Sequence, residues 1–160
     1  MPTVIGVDSS TQSGKVRVVD LETGDIVSEA STSHPDGTEV NPEAWWDALQ
    51  TALAQVDTSH AQAVSIGAQQ HGMVALDESG SVVRPALLWN DTRSAAQAEQ
   101  IVSEFGSEGI TKRTGSVPLA SFTATKLAWM KQNEPDLAAR VAAVALPHDW
   151  LGIQFVDQEL

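Results

Sequence analysis

Two β-type runs, Thr3 to Asp8 and Lys15 to Asp20, are separated only by Ser9-Ser10-Thr11-Gln12-Ser13-Gly14. A parallel partner needs a crossover of a dozen or more residues, so a connection this short forces the two runs to pair antiparallel. Leu21-Glu22-Thr23-Gly24-Asp25 is a second turn, and a third strand is expected from Ile26 to Ser33. An antiparallel three-stranded meander therefore opens the chain. Whatever follows must pack on a sheet that already exists.

The period then changes. Asn41-Pro42-Glu43 reads as a helix start, with Asn as cap, Pro at the first helical position and an acid near the positive end of the dipole. Trp45, Leu49, Ala52 and Val56 follow on one face. Ala63 to Ala68 reads as a buried strand, Met73 to Leu76 as another, and Pro85 to Trp89 as an apolar stretch. A second helix is expected from Asp91–Ser94 to Gly106 and a third from Phe122 to Gln132. A short one is expected at Pro135, then a strand from Val141 to Leu146, and Pro147-His148-Asp149-Trp150 turns into a last element. The order βββαβββαααβα is an α/β mixture with no repeat and no long linker.

Composition narrows the class. Of 160 residues 42% are hydrophobic and 19% charged, a globular balance sufficient for one core. Nine basic residues against 21 acidic ones give a net charge of −12, which argues against nucleic acid or an anionic membrane surface as partner. The absence of cysteine removes disulfides, thiolate zinc sites and cysteine nucleophiles. The start lacks a signal-peptide pattern and no apolar run reaches spanning length, so a cytoplasmic location is expected.

Three segments carry candidate chemistry, each with a plainer alternative. The Ser9–Gly14 loop is either a simple hairpin or an anion nest of backbone amides. In the second case Thr11, Ser13 and Lys15 add hydroxyl and ammonium donors to a phosphate site, and Asp8 meets a magnesium ion through water. It is not a Walker A loop, because the glycine spacing and the following helix are missing. Gln69-Gln70-His71-Gly72 is either a solvent turn or the lining of a cleft in which Gln70 and His71 exchange hydrogen bonds with sugar hydroxyls. In Trp89-Asn90-Asp91-Thr92-Arg93, Asp91 either caps the next helix or faces a ligand beside Trp89.

In order and spacing, these segments together resemble the start of the FGGY carbohydrate kinases, ATP-dependent kinases of sugars and polyols. Asn41-Pro-Glu-Ala-Trp-Trp46, Phe122-Thr-Ala-Thr-Lys126-Leu-Ala-Trp129 and Leu146-Pro-His-Asp-Trp-Leu151 extend the resemblance over about residues 3 to 151. It implies the ribonuclease H-like, actin/Hsp70/hexokinase fold and, over residues 1–160, an incomplete N-terminal sugar-binding domain with the ATP domain absent. Glycerol kinases carry Arg-Glu where this chain has Gln70-His71, whereas xylulokinases carry a Met-His or Gln-His pair. The resemblance thus implies D-xylulose as substrate, with ATP and Mg²⁺ as cofactors. It assigns Asp8 to Mg–ATP positioning, Thr11 to Lys15 to the phosphate loop, and Gln70, His71, Trp89 and Asp91 to the sugar cleft. The catalytic base of the family is an aspartate in a Gly-Asp motif beyond the end of this chain, so the chain alone is expected to be inactive.

Two departures stand out. Ser10 occupies a position where the family usually has glycine, which strains or obstructs the loop if that position needs a positive φ. After Leu151 the family continues into a helix, a pattern Gly152 to Leu160 does not follow. Competing readings are a sugar-binding module without transfer chemistry, a fragment that pairs with itself as a homodimer through unpaired sheet edges, and a kinase for another ketose or polyol.

Overall fold

The computed structural model describes residues 1–156, which form two compact units. The first comprises residues 1–37, 41–69 and the C-terminal segment from Pro147; the second comprises 38–40 and 70–146.

The first unit is built on the opening meander. β1 (Thr3–Ser9), β2 (Ser13–Asp20) and β3 (Ile26–Ser33) pair antiparallel in sequence, and β5 (Ala61–Ala68) adds in parallel to β1, giving the order β3-β2-β1-β5. Alternate residues of β1 and β2 are buried, so Ile5, Val7, Val16 and Val18 point to one face. α1 (Glu43–Leu53) packs on β2 and β3, and α6 (Pro147–Val156) on β5 and α1. Trp45 of α1 and Trp150 of α6 meet edge to face with ring centroids 6.4 Å apart. The parallel β1–β5 pair needs a crossover, and the stretch containing α1 supplies it.

The start of α1 follows the expected chemistry. Pro42 already has helical dihedrals (φ −53°, ψ −33°), and the Asn41 side-chain oxygen accepts the Glu43 N–H at 3.3 Å. The helix stops at Leu53, so Val56 lies in the following turn rather than on the helical face.

Two further expectations are corrected. β5 was expected to be a buried strand, yet most of it is exposed, with Val64 at 41%, because it is the edge of the sheet. Its apolar sequence reports what it can bury, not what covers it. The departure expected after Leu151 does not break the helix: α6 runs through Gly152 to Val156, and the remainder of that segment lies outside the described residues.

The second unit is held by short ladders and helices. β4 (Glu39–Val40) pairs with β7 (Ala86–Leu87), and β6 (Val74–Leu76) pairs with β8 (Ala143–Ala145), both antiparallel. α2 (Ala95–Phe105), α3 (Ser107–Thr114), α4 (Thr123–Asn133) and α5 (Pro135–Ala138) complete it. Met73, Ala75, Val83, Leu87 and Met130 form its core cluster. β4 and α3 were not anticipated. Two residues give β4 no period to read, but α3 had a signature: Glu108 in its first turn, Lys112 and Arg113 in its last, and Gly115 closing it in the left-handed conformation.

Candidate functional site

In the first unit the hairpin loop sets the geometry. Asp8 lies directly across the ladder from Lys15, so their side chains share the sheet face opposite the core at the loop end of the hairpin. On its other side Asp8 pairs with Gly67 of β5, which has no side chain to cover it. The Ser10 hydroxyl donates to Asp8 Oδ1 at 2.8 Å. Ser10 does not take a positive φ, so serine is accommodated in place of the family's glycine without backbone strain. Thr11, Gln12 and Ser13 complete the loop, with Gln12 exposed. Its carbonyls are held by the scaffold: Ser9 accepts from the Gln69 N–H at 3.1 Å and Gln12 from the His34 N–H at 2.8 Å.

A hydrated magnesium ion is compatible with this corner. Among the described residues no three His, Asp or Glu side chains converge as a metal cage. Asp8 therefore offers one exposed carboxylate, suited to contact through water with a cation that retains its hydration.

The second unit holds the other candidates. His71 has φ +65°, and it is the one non-glycine residue at positive φ among those described. That conformation costs about 1–2 kcal/mol for an L-residue and persists only where surroundings fix it. Here the imidazole stacks on Phe122, with centroids 4.4 Å apart and an angle of 13° between planes. The Thr123 hydroxyl also donates to the His71 carbonyl at 3.1 Å. Gln70 beside it is exposed, and Trp89 is 48% exposed.

Asp91 is different: it is 4% exposed and both carboxylate oxygens are engaged. Oδ2 accepts from the Thr38 hydroxyl at 2.7 Å, while Oδ1 accepts from the Arg93 N–H at 3.0 Å and from Arg93 Nε at 2.9 Å. Burial opposes its ionisation, but the hydrogen bonds from Arg93 and Thr38 and the guanidinium charge outweigh it. The carboxyl is held below the usual range. Asp91 does not cap α2, which begins at Ala95; it closes an Asx turn ahead of it.

Lys126, fully buried on α4, binds the same loop from beneath. Its Nζ donates to the carbonyls of Asp91 at 3.0 Å and Ala120 at 2.8 Å. Burial lowers its pKa, against the attraction of Asp91. Arg93 adds a 2.8 Å ion pair to Glu39, which also pairs with Arg84, and both guanidinium groups lie over the Trp129 ring. Arg84 comes within 3.1 Å of Glu134 as well, but without hydrogen-bond alignment.

The first turn of α4 thus touches both His71, through Phe122 and Thr123, and Asp91, through Lys126. Asp8, Thr11, Gln12, Ser13 and Lys15 are gathered in the first unit, and Gln70, His71, Trp89 and Asp91 belong to the second. Sequence reasoning missed Thr38 and Phe122 as partners of the site, and it missed His34 beneath the hairpin loop.

The four-stranded sheet led by an acid-tipped hairpin is that of an actin-like ATPase domain, the fold of the solved xylulose kinase that superposes on it. The N-terminal domain profile of the FGGY family of carbohydrate kinases matches residues 3–160, and the chain belongs to that family. It is 52% identical over 157 residues to the xylulose kinase of Streptomyces coelicolor, covering 94% of this chain and 33% of that protein. With the xylulose kinase of Streptomyces rubiginosus it shares 52% identity over 164 residues, 98% of this chain and 34% of the relative. The crystal structure of xylulose kinase from Bifidobacterium adolescentis superposes with a TM-score of 0.93 at 44% identity, over 96% of this chain and 34% of that one. The chain spans about a third of the length of these relatives.

Proposed function

We propose that the chain supplies the sugar-facing loop and the first phosphate loop of a kinase that phosphorylates D-xylulose at its 5-hydroxyl from ATP. The carrying observation is the 52% identity to proteins named xylulose kinase over 94% of the chain, joined to a His71 held at φ +65° against Phe122. A ring fixed in that way offers a hydrogen-bonding edge of set direction, which recognition of a hydroxyl requires. Gln70, exposed beside it, adds an amide donor and acceptor. Trp89 gives the loop an aromatic face, while Asp91, with both oxygens engaged, shapes that loop rather than touching the sugar.

ATP carries the phosphoryl group and, with Mg²⁺, the charge compensation that transfer demands. Asp8 faces the hydrated cation. Thr11, Gln12, Ser13 and Lys15 offer hydroxyl, amide and ammonium donors to the phosphate oxygens. The base that takes the hydroxyl proton is expected in the part of the relatives that this chain does not cover.

Calorimetry of the chain with D-xylulose tests the alternative of a sugar-binding module without transfer chemistry: heat equal to dilution removes that alternative. ADP release by the Streptomyces coelicolor relative, with alanine at the position matching Asp8, tests the kinase reading. A fall of roughly 10²-fold is expected for a lost positioning group. Unchanged turnover contradicts the role given to Asp8.

A further inference from the structure

His34 follows directly on β3 and turns back beneath the hairpin loop. It is 6% exposed. Its backbone N–H donates to the Gln12 carbonyl at 2.8 Å, and its ring Nδ1 lies 2.9 Å from the Ser10 carbonyl. A carbonyl only accepts, so Nδ1 carries the hydrogen and the ring is the Nδ1–H tautomer. The opposite ring atom, Nε2, is buried without a partner. A Cβ at Gly14 would lie 3.2 Å from it, tighter than ordinary packing allows. Gly14 has no positive φ, so the approach of the imidazole, and not backbone strain, is what would crowd a side chain there. Because C=O and N–H of a planar trans peptide point in opposite directions, fixing the Ser10 carbonyl also fixes the direction of the Thr11 N–H, away from His34.

We propose that His34 is the positioning residue of the Ser9–Gly14 loop. Its buried Nδ1–H holds the Ser10–Thr11 peptide in one orientation, and its Nε2 edge crowds any side chain placed at position 14. The consequence for ligand binding rests on the reading of this loop as a phosphate site; the clamp itself does not. A ring that only filled space would need no defined tautomer.

The experiment uses the ¹⁵N-labelled chain. The imidazole nitrogens of His34 are expected to report a neutral ring protonated at Nδ1; the Nε2–H tautomer overturns the proposal without any substitution. His34→Ala should raise amide exchange at Thr11 and Gln12 by about tenfold, the scale of one lost hydrogen bond, with amides of the second unit unchanged. His34→Asn, whose amide can donate from near the Nδ1 position, should recover most of that protection. Equal exchange in His34→Asn and His34→Ala reduces the ring to packing and refutes the clamp. Gly14→Ala should loosen the loop in the native background and add nothing in His34→Ala; equal effects in both backgrounds also refute it. Titration with Mg–ATP separates the two readings. Unchanged Mg–ATP affinity in the Streptomyces coelicolor relative with alanine at the positions matching Thr11 and Lys15 overturns the phosphate reading, while tautomer and exchange decide the clamp. If the chain binds, His34→Ala should weaken affinity by about tenfold and His34→Asn by less.

Discussion

Lys126 is the residue on which the second unit's candidate site depends most. A fully buried ammonium donating to the Asp91 and Ala120 carbonyls ties the Trp89–Arg93 loop to the first turn of α4. Lys126→Met keeps the apolar stem and removes the ammonium, leaving the buried Asp91 carbonyl unsatisfied while the Ala120 carbonyl retains the Ser94 hydroxyl. Urea denaturation is expected to register a loss of about 3 kcal/mol. A change below about 1 kcal/mol would mean that water replaces the ammonium and that the loop is held by Arg93 and Thr38 alone. Residue identities were readable here, but roles were not. Asp91 read equally well as a cap or a ligand contact, and only the burial of its carboxylate among Thr38 and Arg93 distinguishes a loop-shaping group from an open one. His34 gave no signal, because a bulge between Val18 and Val19 shifts the β2–β3 register and hides which residue lies opposite Gln12.

At the scale of elements, the junction of α2 and α3 separates two kinds of glycine. Gly106 ends α2 at φ +69° and ψ 143°, a region that side chains other than hydrogen rarely enter, whereas Gly109 sits within α3 with open space where a Cβ would go. Gly106→Ala should destabilise the unit by about 1–3 kcal/mol. Gly109→Ala should stabilise it by about 0.5–1 kcal/mol, since alanine loses less freedom in a helix. Thermal unfolding of the two variants tests the contrast, and shifts of the same sign would contradict it. The meander, α1 and the closing of α2 at Gly106 were legible because turn chemistry and period are local. β5 was legible as a strand but not as an edge, since apolar residues are needed on a covered and on an uncovered strand alike.

For the molecule as a whole, acid should act on the two units in different windows. Burial lowers the pKa of His34 in the first unit, although the backbone of Ser10 and Thr11 opposes it. The unfolded chain then takes up a proton near pH 6.5 that the folded one refuses, so this contribution is complete above about pH 6.5 and is lost as the pH falls below it. Asp91 in the second unit is shifted down as well, but for a carboxylate the lower value stabilises the folded state. Its contribution is present above about pH 4 and disappears as the pH drops through the folded value. Amide exchange followed from pH 7 to pH 4 should therefore weaken the first unit earlier, and His34→Asn should flatten that slope. A slope unchanged in the variant would remove His34 as its source.

What the sequence determined by itself was everything carried by neighbours along the chain: the meander, the helix starts and stops, the absence of thiol chemistry and the order of motifs that resembles the FGGY kinases. Tertiary structure alone decided which charges are buried, which strand is an edge, and that a histidine 20 residues beyond Gly14 lies against it. The reason is physical. Turns and periods follow from the backbone preferences of adjacent residues, whereas desolvation and close contact depend on atoms brought together from distant parts of the chain.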